Sequence, residues 1–105
     1  GPRWDWDIRE ALFGITKGIP FAASTRLTHG GHIGGIIGFV TKDDKAPKSW
    51  IDIKIEDVTE IIFNDPYGKR IGQAYNTGLS GFNTRYSTKE FMTYWRNTGI
   101  QVRKK

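Results

Sequence analysis

Apolar residues recur in this chain at two spacings, and each spacing predicts a different kind of element. Near the start, Ile8, Ala11 and Leu12 follow Asp5 and Asp7 at helical intervals; either Asp can cap the helix, and Gly14 or Gly18 can end it. A short amphipathic helix is expected. Trp4 and Trp6 precede it, and one of them should staple its first turn to the body, the alternative being an exposed Trp pair at a binding surface.

From Ile19 to Phe63 the pattern changes to short β-type runs separated by turn residues. Phe21 to Thr28 reads as a strand, His29-Gly30-Gly31-His32 as a turn, and Gly35 to Lys42 as a mostly buried strand. Lys42 to Lys48 reads as an exposed charged loop. In Trp50 to Ile55 strict alternation predicts a strand with Ile51, Ile53 and Ile55 in the core and Trp50 on the polar face. Glu56 and Asp57 then turn the chain into a strand over Val58 to Phe63.

Asn64-Asp65-Pro66-Tyr67-Gly68 is a strong turn signal, whereas Ile71 to Tyr86 holds no sustained period and is expected to be irregular. Ser87-Thr88-Lys89-Glu90 is a capping box that should open a helix over 87–97, with Phe91, Tyr94 and Trp95 along one buried stripe. Ile100 and Val102 suit a closing edge strand. The order predicts an α+β fold: a small, strongly bent antiparallel sheet, or a barrel of SH3-like or Sm-like kind, with a short N-terminal helix and a C-terminal helix. The barrel is an analogy at the level of pattern.

Length and composition narrow the picture. A chain of 105 residues with 37% hydrophobic and 13% aromatic residues can build one core but not two, so residues 3–105 are expected to form a single domain. Gly1-Pro2 reads as the remnant of a tag cleavage. The absence of cysteine excludes disulfides, thiolate metal sites and thiol nucleophiles, and favours a cytoplasmic location. The longest apolar run is too short to cross a bilayer as a helix, so no membrane partner is expected.

Charge changes the picture more. Net charge is +5, yet up to Asp65 there are 8 basic and 10 acidic residues, and from Pro66 onward 8 basic and 1 acidic. The basic character therefore belongs to the last 40 residues, where Lys69, Arg70, Arg85, Arg96, Arg103 and Lys104 are interleaved with Tyr67, Tyr75, Tyr86 and Trp95. Lys and Arg neutralise phosphates and aromatic faces can stack on unpaired bases, so a nucleic-acid surface is predicted. Arg26, Lys42 and an exposed Trp50 join the candidate contact set. An acidic protein surface would be drawn to the same charges.

The segment Thr28-His29-Gly30-Gly31-His32-Ile33-Gly34-Gly35 invites sharper readings. His29 and His32 supply at most two metal ligands, and only distant Asp43, Asp44 or Asp52 could complete a site, so no metal is expected. The glycines match no nucleotide-binding fingerprint, and no cofactor is expected. The Gly31-His32-Ile33-Gly34 match to the KH loop lacks a Lys or Arg, and Gly38-Phe39-Val40 lacks the stacking residues of an RNP1 strand. His29 and His32 could act as acid and base with Arg26, Arg85 or Tyr86, but no spacing is diagnostic and no catalytic set is assigned. Binding of DNA or RNA through phosphates is the leading expectation. A protein-interaction module comes next, and a small basic nuclease using His29 and His32 last.

Overall fold

The computed structural model describes residues 5–28 and 30–101. Trp4, His29, Val102, Arg103 and Lys104 therefore lie outside the described residues. The element order is α1 (Ile8–Thr16), β1 (Phe21–Thr25), β2 (His32–Thr41), two short 3-10 turns (Trp50–Asp52 and Ile55–Asp57), β3 (Val58–Asp65), β4 (Lys69–Ile71), β5 (Ala74–Asn76), β6 (Gly81–Ser87), α2 (Thr88–Tyr94) and β7 (Trp95–Gln101).

Local chemistry sets the helix starts. Asp7 accepts the amide of Arg9 at 3.0 Å while Glu10 accepts the amide of Asp7 at 3.2 Å, a reciprocal cap that satisfies free donors at the start of α1. The Arg9 guanidinium on Asp7 holds that carboxyl below its usual range, against the opposing effect of its partial burial. The Ser87 hydroxyl accepts the amide of Glu90 at the start of α2. That helix stops at Tyr94 rather than continuing to 97, and Trp95 enters β7 directly.

Five strands form one antiparallel sheet in the order β6-β3-β2-β1-β7, and β4-β5 is a separate hairpin. β6 and β7 do not pair, so the sheet is open and the barrel expectation is not met. Register shifts interrupt β1-β7, β2-β3 and β3-β6, each an irregularity of the β-bulge kind. Trp6 covers the outer edge of β7: its amide bonds Asn97 O and its Nε1 bonds Gly99 O, each at 3.1 Å. It is the staple expected ahead of α1.

Both helices lie on one face of the sheet. Leu12 from α1 and Phe91 from α2 are fully buried with Phe21, Ile36, Ile61 and Phe63 from the strands. The opposite face carries the alternate residues Ala22, Ile33, Gly35, Ile37, Ile62 and Ile100, with no element packed over them among the described residues.

Two expectations are corrected. Residues 50–55 are not a strand: the Asp52 carboxylate accepts the amides of Lys48 and Ser49 at 3.0 and 3.2 Å, and this local bonding winds Trp50–Asp52 into a 3-10 turn. With three residues per turn rather than two, Ile51 swings out to 65% exposure, Ile53 stays buried and Ile55 is half-buried. The stretch expected to be irregular, 71–86, holds β5 and most of β6. Its strands are short or edge-placed, so one-sided burial never imposed a clean alternation on them.

Candidate functional site

The β1-β2 hairpin end carries two polar groupings built by different parts of the chain. At its tip, the Thr28 hydroxyl bonds Gly31 O at 2.8 Å and the Gly31 amide reaches Thr28 O at 3.3 Å, closing a tight turn. Gly31 has φ of 85°, a left-handed conformation that favours glycine. The Arg26 amide bonds Tyr94 O at 2.7 Å, which ties the loop to the end of α2 and hence to the start of β7. Arg96, one residue into that strand, is brought against the loop: its Nη1 lies 3.5 Å from where a Cβ on Gly31 would stand.

Arg26, Thr28, Gly31 and Arg96 thereby line one open cleft of about 360 Å3. Both arginines are exposed, and neither has a carboxylate within ion-pairing distance among the described residues. Two arginines lining one cleft put like charges on the same surface, and an anion bound there would relieve their repulsion while accepting forked donors.

Beneath the hairpin, Asp65 at the end of β3 is buried and accepts three hydrogen bonds. His32 Nε2 lies 2.6 Å from Oδ1, the Tyr67 amide 3.0 Å from Oδ1, and the Tyr75 hydroxyl 2.6 Å from Oδ2. Tyr67 and Tyr75 meet edge to face at 4.9 Å and both rings contact the His32 imidazole. The cluster pins the β4-β5 hairpin to the sheet. Burial, then the hydrogen bond to Asp65, raises the Tyr75 phenol well above its ordinary range. Among the described residues no three His, Asp or Glu side chains converge as metal ligands.

The predicted contact residues fall in separate places. Arg26 and Arg96 line the same cleft. Lys42 is exposed just past the far end of the ten-residue β2, about 30 Å along the strand from the cleft. Lys69 is exposed on β4, and Arg85 on β6 is engaged by Glu60 at 3.1 Å. Trp50 is half-buried, with the Arg9 guanidinium 4.9 Å over its ring, so it is no free stacking platform. Arg70 is the clearest departure: its side chain is 4% exposed, its Nη2 donates to the Tyr94 hydroxyl at 3.1 Å and its Nη1 stands 3.6 Å from Glu90. Placed beneath Tyr94, it cannot meet a phosphate at the surface.

Sequence reasoning missed Asp65 and Tyr75 as partners of His32, since 33 residues separate the histidine from its carboxylate and no local pattern marks the pair. A second cavity, about 240 Å3, lies beside Phe39 and Ile53. Its lining holds Lys45, Lys48 and Lys54 against Asp43, Asp52 and Asp57, so no net charge selects a ligand there. No family model, curated protein or solved structure matches the chain.

Proposed function

We propose that this chain binds nucleic acid through its phosphates, with the Arg26–Arg96 cleft as the principal anchor. The observation that carries the reading is that two exposed arginines, without a carboxylate partner among the described residues, line one cleft beside a glycine turn. Arginine forks match phosphate oxygens in pairs, and the small turn lets a phosphate approach the backbone closely. Exposed Lys69 adds to the attraction at longer range, whereas Arg85, paired with Glu60, adds little.

A titration of labelled oligonucleotide by fluorescence anisotropy across a range of salt concentrations tests this. Replacing both Arg26 and Arg96 by Ala should weaken binding to all sequences alike and flatten the dependence of log affinity on log salt by about 1.4 to 1.8 units, the contribution of two phosphate contacts. Arg85→Ala should leave the slope almost unchanged. Absence of binding at low salt, or binding indifferent to the double change, would refute the reading.

A further inference from the structure

Resting on that reading, we infer that the ligand is single-stranded nucleic acid, laid across the uncovered face of the sheet with a phosphate in the arginine cleft. The face carries exposed apolar side chains among its polar ones. Ile33 is 64% exposed and Ile100 42% exposed, and Ile37 and Ile62 are half-buried beside them. Phe82 on edge strand β6 is 63% exposed.

The register shows what lies between these side chains. Ile100, Ala22, Gly35 and Asn64 are aligned across β7, β1, β2 and β3, so a row of small residues crosses the sheet with an isoleucine at one end and a carboxamide at the other. Along β2, Ile33 and Ile37 stand on either side of Gly35, Ile37 being the residue at which β2 shifts register against β3. A Cβ placed on Gly35 would make only ordinary contacts, 3.8 Å from Ile37 Cγ2 and 4.0 Å from Asn64 Cβ, so the floor of this slot takes a methyl without strain. A planar base can rest on this glycine against Ile33 and Ile37, and the Asn64 amide can donate to or accept from its edge.

Charge selects the occupant. The carboxylate that alternation places on this face, Glu60, is paired with Arg85, and among the described residues the charges at the hairpin end without an ion-pair partner are Arg26 and Arg96. An unpaired strand offers such a surface both apolar base faces and phosphates. A duplex offers only its charged exterior, which would desolvate against the isoleucines without return.

The test compares labelled oligo-dT and oligo-rU with a duplex of equal phosphate number, for the wild type and for Gly35→Val. Valine suits a strand and its Cβ would meet only ordinary contacts, so circular dichroism and thermal midpoint should stay close to the wild-type values. We expect both single strands to bind about tenfold or more tighter than duplex, and Gly35→Val to remove most of that preference while the salt slope set by Arg26 and Arg96 persists. Ile33→Glu, at an exposed position, should act in the same direction. Equal affinity for duplex and single strand, or a Gly35→Val variant that binds as the wild type does, overturns this inference and leaves the arginine cleft standing. No binding to any of the three overturns both.

Discussion

Replacing Asp65 by Ala removes the acceptor on which three donors converge, and its cost follows from that geometry. The carboxylate is buried, at 3% residue exposure, and serves the His32 imidazole, the Tyr75 hydroxyl and the Tyr67 amide at 2.6 to 3.0 Å. Hydrogen bonds to a charged group contribute about 1.5–3 kcal/mol each, but Tyr67 is exposed and water can replace the acceptor there. His32 and Tyr75 are left with partly buried polar atoms, each unsatisfied group costing about 1–3 kcal/mol, so the expected loss is about 3–5 kcal/mol. Asp65→Asn keeps the volume and one acceptor oxygen, and should lose about 1–3 kcal/mol. For a domain whose whole stability is of order 5–15 kcal/mol, the two variants separate cleanly in urea unfolding, with lower midpoints at unchanged slope. A loss below about 1 kcal/mol for Asp65→Ala would mean that the cluster does not hold the β4-β5 hairpin, and the reasoning fails.

Two further expectations concern the same region. A Cβ on Gly81 would sit 2.2 Å from Asp65 O and 2.3 Å from Gly68 O, both backbone, so Gly81→Ala should destabilise by about 1–3 kcal/mol or more in the same urea assay, whereas Gly35→Ala, whose Cβ meets nothing closer than 3.8 Å, should not. Tyr75 and Tyr86 have phenols raised above their ordinary value of 10.0, burial being the first cause in each. In the unfolded chain they ionise near that value while the folded chain holds their protons, so their contribution to stability is complete below about pH 10 and is lost as pH rises above it. The tyrosinate absorbance of folded protein near that pH should therefore be the same for wild type, Tyr75→Phe and Tyr86→Phe; a drop in either variant would contradict the burial.

What could be read from the chain was local. Asp7 and Ser87 marked the two helix starts because a cap involves residues two or three apart, and the half-buried runs of β2 and β3 kept enough apolar pattern to be recognised. The same local logic misled at Trp50 to Ile55, where alternating isoleucines satisfied the strand pattern but one carboxylate bonded to nearby amides wound a 3-10 turn. Charge counting singled out the last 40 residues, yet burial withdrew Arg70, Glu60 engaged Arg85, and Arg26 from the first half of the chain joined Arg96 in the cleft. Arg26 and Arg96 are 70 positions apart, and His32 and Asp65 are 33 apart. Composition and spacing report which groups a chain carries and how near neighbours bond. Only the packing of β1 against β7 and of β2 against β3 decides which distant groups share a cleft, which lose water and which face of the sheet is left uncovered, because those outcomes depend on long-range burial rather than on local sequence.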